Sequence, residues 1–535
     1  MNRMRYGLLF ATIVLPLAVG ACAPAPSNVR IELPQQYRMP QASLVTTFER
    51  RSGRIALIDD SGNLVVMDQT GGGVVKITRD ATEKATSAPT SGQTTSATRS
   101  KVATGYHWPV WSPDASQIAF VELVAERVSA TRIIETGVDA VTVQRGPNST
   151  TIQQSEDGTA SQRSPNTTSV LHQPSRVIIE SDPTGNILSN AIYIAHIDGK
   201  SPLQEVYASE QYAVGYLDWS PDNSQIAFLA QTGDTEVSLH LARAGNDPGK
   251  PRKVATGVNA TWNWHPDGKT LVAKVEGSMT DNTADLSLLD AQSDATVSTI
   301  IKKTDIPIGS PAFSSDGNAM LVTTRKDGQE YLALADRQGN ILRNLVAING
   351  QVSFSWSPAA AKVAYIVKQD SGSAPVAGAP ASSGGALHLL DVNSGEDRVL
   401  SQMPVLAFFW SPDGERLATF SPVRLSDMSK DFAGVDLTSN QPSGVMTLQT
   451  IDVNTRTFRQ LFYLEPTTEF RRLLNQFDRF NRSLNIWSPD SRSLVFSIYN
   501  SDLTNNPNLI VETEATGSIQ PRFIAQGTVA VWSPR

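Results

Sequence analysis

Apolar positions along this chain come in short runs of alternating character. Gly, Pro, Asp, Asn and Ser break them at close intervals. Ile118 and Phe120 fall on one side of an extended chain and Ala119 and Val121 on the other. Leu271, Ala273 and Val275 repeat the alternation, as do Leu494 and Phe496. A period of two marks strands, and the turn residues between runs, such as Asp60, Ser61, Gly62 and Asn63, mark tight connections. One stretch has a different period. Phe470, Leu473 or Leu474, Phe477 and Phe480 recur every three to four residues, with Arg471, Arg472, Arg479 and Arg482 on other faces. Residues 470–482 therefore predict the single helix of an otherwise all-β chain.

The strands are organised by a repeat. Trp-Ser-Pro-Asp, or a near copy, begins at Trp111, Trp219, Trp264, Phe313, Trp356, Trp410, Trp487 and Trp532, and an apolar strand follows each of the first seven. Copies from Trp219 to Trp410 start 43 to 54 residues apart. A period of ~40–50 residues with strand content predicts a β-propeller of four-stranded blades. Pro presets φ for the second position of a type I turn, Asp suits the third and Gly the fourth, as in Ser411 to Gly414. The aromatic closes the preceding strand, and packing between blades accounts for it without a ligand.

The N-terminal segment has three strand-like runs, near residues 54–58, 64–67 and 74–77, but no tetrad. The last copy, Trp532 to Arg535, has a tetrad but no following strands. Joined, they make one blade from both chain ends, which closes the ring and removes exposed edges. Seven internal copies plus this shared blade predict eight blades, with seven the alternative if Phe313 or Trp356 is a false copy. The propeller is expected over residues 51–535. Insertions are expected near 81–100, 127–190, 371–385, 422–443 and 466–482. The runs at 132–143 and 169–181 are expected to form a protruding hairpin.

Residues 1–21 read as a targeting segment: Arg3 and Arg5, then an apolar stretch at 8–17 too short to span a bilayer. Val19-Gly20-Ala21-Cys22 resembles the lipobox of bacterial lipoprotein signal peptides. That resemblance implies cleavage before Cys22, acylation of its thiol, and a tether over 22–50. The expected address is the extracytoplasmic side of a bacterial cell or outer membrane. Cys22 is the only cysteine, so no intrachain disulfide is available. A net charge of −7 argues against a nucleic-acid surface, which needs clustered basic charge.

The tetrads, with strands ending in Asp at Asp68, Asp198 and Asp391, resemble the TolB-like, WD-repeat-like propeller repeat. The resemblance covers residues 53–535 and implies a fold rather than a function. The same repeat is similar to the propeller of prolyl-oligopeptidase-type peptidases, but the G-x-S-x-G nucleophile elbow those enzymes carry is missing here. The six histidines, at 107, 172, 196, 240, 265 and 388, show no metal-ligand spacing, and there is no phosphate loop. No catalytic residue, metal or cofactor is assigned. The expected function is a non-enzymatic, lipid-anchored module that binds an unknown protein or envelope component. The alternatives are a small ligand or glycan held in the central channel, or an enzyme site assembled from several blades. Expected partner contacts are Phe470, Arg471, Arg472, Phe477, Arg479 and Phe480, the insertion at 127–190, and the channel mouth. The other reading of the helix is a cap on the propeller core.

Overall fold

A computed structural model describes residues 53–85, 100–128, 140–143, 150–153, 187–210, 213–233, 236–245, 249–277, 283–293, 296–305, 309–368, 384–424, 442–480, 482–499 and 508–535. The chain divides into two compact units. One is Met1–Leu33 with Ala130–Asp182, and the other is Pro34–Ser129 with Pro183–Arg535. In the first, Ala140–Val143 pairs antiparallel with Thr150–Gln153. The expected hairpin strand at 169–181 lies outside the described residues, as do Cys22 and the targeting segment.

The second unit is a β-propeller. The copies at Trp219, Trp264, Phe313, Trp356 and Trp410 each head a four-stranded antiparallel sheet whose strands follow in chain order. The Trp111 sheet has a fifth strand, because Thr82–Ala85, within a stretch expected to be loop, pairs with Ser100–Trp111. In that sheet Gln117–Val128 and Ile187–His196 pair as far out as Ala125 and Ile187, so the 127–190 insertion springs from the ends of two lengthened strands.

The remaining sheet corrects the blade count. Its six strands run Val75–Lys76, Leu64–Met67, Ile55–Asp59, Arg522–Trp532, Leu509–Glu514 and Ser493–Ile498. Arg522–Trp532 continues unbroken. Its first part pairs with Leu509–Glu514 and its second with Ile55–Asp59. The two repeats counted separately at Trp487 and Trp532 are therefore one hydrogen-bonded sheet, and the ring has seven blades, not eight. Two local causes are visible. Gly527 lets the strand pass where a Cβ would lie 2.3 Å from the Ile58 carbonyl oxygen. The Trp487 copy forms only an isolated bridge to Leu494, because helix and loop occupy the chain before it. Phe313 and Trp356, the copies held most suspect, both head complete sheets. The ring does close through the C-terminal strand, with Ile55 opposite Trp532 and Ile58 opposite Val529.

The tetrads build turns and also join blades. The Ser112 hydroxyl donates to Asp114 Oδ1 at 2.6 Å, and the Ala115 amide donates to the Ser112 carbonyl at 2.8 Å, closing the turn. The Ser–Asp bond recurs at Ser220, Ser314, Ser411 and Ser488. The fourth position has positive φ in six copies, at Ala115, Asn223, Gly268, Gly317, Gly414 and Ser491, but not at Ala360 of the Trp356 copy. Each latched indole N–H then reaches a carbonyl of the neighbouring blade. Trp111 donates to Val531 (3.3 Å), Trp219 to Val110 (3.1 Å), Trp356 to Ala312 (3.0 Å), Trp410 to Ser355 (3.2 Å) and Trp487 to Phe409 (3.0 Å). Phe313 has no indole, and its amide instead donates to Asn263 Oδ1 at 3.0 Å. An outer set of latches repeats the device: Arg252, Arg343 and Arg398 each donate to a backbone carbonyl at a turn of the neighbouring blade, and Arg522 donates to the Gln69 carbonyl within the closing sheet.

Between the latches the sheets pack face to face. Phe120, Phe228, Tyr365, Phe420 and Phe496, all on the strand after a tetrad, are at most 1% exposed. Their small neighbours Ala119, Ala227, Ala364 and Thr419 are also buried, so both faces of these strands are covered. Each buried ring contributes about 1.5–3 kcal/mol of apolar transfer.

Candidate functional site

The helical segment plugs the space between several blades, contacting the Trp264, Trp356, Trp410 and closing sheets. Helix α1, Thr468–Asn475, starts at Thr467, whose hydroxyl accepts the Phe470 amide at 3.2 Å. The chain breaks at Gln476, which has φ −123°, and a single further turn, α2, spans Phe477–Phe480. The expected continuous helix is thus two short ones. Phe470 packs edge-on to Phe420 at 5.5 Å, and Phe477 lies 4.8 Å from Phe408 and 6.0 Å from Phe409. Thr467 donates to the Thr528 carbonyl (2.6 Å), Ser353 donates to Asp478 (3.2 Å), Arg479 donates to Asn259 (3.0 Å), and Arg482 donates to the Trp264 carbonyl (2.9 Å). Apart from Phe420, on Arg416–Arg424, these partners sit on the strands ending at Trp264, Trp356, Trp410 and Trp532.

Of the residues expected to contact a partner, Phe470 and Phe477 are fully buried, with no exposed surface. Arg472 is half exposed and 3.7 Å from Glu469, and Arg471 is 3.7 Å from Glu465. Arg479 is held by Asn259. The Phe480 side chain lies outside the described residues.

Two larger recesses border this plug among the described residues. On the tetrad face, a mouth of about 440 Å3 is walled by Pro221, Pro266, Pro358 and Pro412 with Trp264, Phe313, Trp356, Trp410 and Trp487. Asn263, Arg482, Asn485 and four serines supply its polar side chains, and no carboxylate or imidazole is among its lining residues. The second recess, about 200 Å3, is polar and is lined by Thr261, Lys274, Glu276, Gln351, Asn475, Asp478 and Arg479 among others.

Three buried charges and one partly buried charge near the plug were not picked out from sequence. Lys274 is 4% exposed and 3.7 Å from Glu276. Burial holds its pKa below the usual lysine range, against the pull of Glu276. Lys368 is 5% exposed and sits 5.7 Å from the centre of the Phe477 ring. Burial lowers it too, and Asp478 opposes the shift. Asp218 is 6% exposed, and burial pushes its carboxyl up to about 6 despite Arg482. Asp478, partly buried, accepts from Ser353. A signal existed for Lys274 and Lys368, which are cations at or near the end of otherwise apolar strands, Thr270–Glu276 and Lys362–Lys368. The described histidines do not converge. His240 stacks on Phe228, His265 bonds within its tetrad ring, and His388 meets Tyr365 and Asp397. Among the described residues, no group of three His, Cys, Asp or Glu is placed to hold a metal.

No family model matches this chain, and no curated protein matches it. Solved structures similar to it include TolB from Acinetobacter baumannii, at 14% identity over 65% of this chain and 79% of that one, with a TM-score of 0.34. A eukaryotic initiation factor matches at 12% identity over 91% and 99%, with a TM-score of 0.42. An oligogalacturonate lyase in complex with manganese matches at 12% over 82% and 99%, with a TM-score of 0.40. Likenesses this distant carry no inference about substrate or partner.

Proposed function

We propose that this chain is a non-enzymatic binding propeller, held on the extracytoplasmic side of a bacterial membrane by lipid on Cys22, and that its tetrad-face mouth receives a protruding segment of an envelope protein. The observation that carries this reading is the mouth itself. Its walls are prolines and aromatic rings drawn from several blades, of which Trp356 and Trp410 are partly exposed, with one arginine, two asparagines and four serines as polar side chains. Aromatic anchors with a few convergent donors are the composition of a recognition pocket. The lining offers no nucleophile–base pair and no paired carboxylates, so it supports recognition better than turnover.

Site-specific photo-crosslinking in native membranes tests this. Ser315, exposed on the rim, should give a reproducible protein adduct that Pro358→Arg abolishes. A crosslinker at exposed Gln476, at the other recess, should not give that adduct. Absence of any reproducible adduct from Ser315 would sink the proposal. The anchoring half has its own test: Cys22→Ser should release the protein from membranes, and unchanged retention refutes lipidation at that residue.

A further inference from the structure

We propose that the polar recess beside the plug binds a small carboxylate carrying a hydrogen-bond donor on the adjacent carbon, the chemistry shared by α-amino and α-hydroxy acids. This site is separate from the tetrad-face mouth and does not depend on what that mouth binds.

The strand register builds one wall. Thr261 lies opposite Lys274, and Asn259 opposite Glu276, so these four side chains share a face of the Trp264 blade. Helix α2 brings Asp478 and Arg479 to the recess, and the end of α1 brings Asn475. Two polar atoms here have no hydrogen-bond partner in the protein although they are buried: Thr261 Oγ1 and the Asn475 side-chain carbonyl. Buried groups left unpaired are costly, so a built pocket that keeps two of them gains when a ligand satisfies both.

The donor set selects the ligand. Lys274 and Arg479 are the cations of the lining and suit a carboxylate. The Asn475 carbonyl only accepts, and Glu276 and Asp478 stand nearby as acceptors, so the ligand must also donate. A simple anion would leave the Asn475 carbonyl unpaired and face two carboxylates. A simple amine would face Lys274 and Arg479. A molecule with both groups on neighbouring atoms satisfies the two sets together. The volume of about 200 Å3 lies below the usual range for drug-sized pockets and limits the ligand to a few heavy atoms.

The test is thermal unfolding and calorimetry of the full-length protein with alanine, serine, lactate, acetate and ethylamine, each at roughly 10 mM, tenfold above a millimolar Kd. Alanine, serine or lactate should raise the unfolding midpoint saturably, while acetate and ethylamine should not. A response to the amino acids alone, or to lactate alone, assigns the donor and supports the site. Thr261→Val, nearly isosteric, should weaken binding at least tenfold, and Lys274→Met should abolish it. If Lys274→Met does not fold, Thr261→Val alone decides. The proposal is overturned if none of the three binds, if acetate binds as well as they do, or if Thr261→Val leaves the affinity unchanged.

Discussion

The indole latches make a prediction in which the largest confounding factor cancels. Trp264 and Trp487 occupy the same place in two copies of the tetrad and are 0% and 1% exposed. Replacing either by Phe removes the same atoms and opens a comparable void. Trp264 ends a full strand where Trp487 forms an isolated bridge, and the two indoles also differ in their N–H partners. Trp487 Nε1 donates to the Phe409 carbonyl at 3.0 Å, whereas Trp264 Nε1 is buried without a partner. Trp487→Phe should therefore lose a net hydrogen bond of about 1 kcal/mol, while Trp264→Phe should relieve an unsatisfied donor worth about 1–3 kcal/mol. The expected outcome is that Trp487→Phe is the more destabilising by roughly 2–4 kcal/mol. Urea unfolding followed by far-ultraviolet circular dichroism reads this as a lower midpoint at unchanged slope, and avoids the tryptophan emission that the mutations themselves alter. Equal midpoints for the two variants, or a lower one for Trp264→Phe, would show that the latches do not hold the ring.

Three further outcomes are expected. Phe477→Ala should cost about 3–5 kcal/mol, as for other large buried aromatics, because the ring contacts Phe408, Phe409 and the Lys368 ammonium. A loss under about 1 kcal/mol by urea unfolding would mean the plug is not part of the core. Gly317→Ala should destabilise by roughly 2 kcal/mol, since φ is +71° and the new Cβ would meet His265 Nε2 at 2.3 Å, whereas Ala115→Gly, at φ 59°, should be neutral or stabilising by up to ~1 kcal/mol. The two changes act on equivalent turn positions, so the same sign for both in thermal melts refutes the assignment. For these groups stability should peak near pH 4 and fall between about pH 4 and 6. Asp218 has its folded pKa raised from 3.8 to about 6, so it favours folding less as pH rises through 6, by at most ~3 kcal/mol, and Asp218→Asn should remove that slope. Asp316 is held below 3.8 by the Ser314 hydroxyl and by Asn318, so its contribution is present above pH 4 and lost in more acid solution. A urea midpoint that climbs steadily from pH 5 to 8 contradicts the Asp218 assignment.

What the chain's pattern revealed, and what it hid, follows from the range of the interactions. Tetrad turns are local: Ser112, Asp114 and Ala115 bond within four residues, so each copy was legible, and so was the closure of Ile55 against Trp532. The blade count failed where locality failed. Nothing in Arg522–Trp532 announces that one strand serves two repeats, because the reason lies in Ile58, which faces Gly527 from the far end of the chain. The plug shows the same division. Its helical period was readable, yet the break at Gln476 and the burial of Phe477 depend on Phe408 and Lys368, contributed by separate blades. Both recesses are of this kind. Lys274 and Asp478 stand about two hundred positions apart in sequence and line one small cavity only because the ring closes and the plug enters it. In a propeller, binding chemistry is a property of the axis, where every blade contributes an inner strand. Function is therefore most exposed to substitutions that shift the plug relative to the inner strands, even at residues that touch no ligand. Phe477→Ala should alter any affinity measured at the polar recess as well as stability, whereas Trp487→Phe, which loosens a single blade-to-blade seam, should lower stability and leave that affinity unchanged.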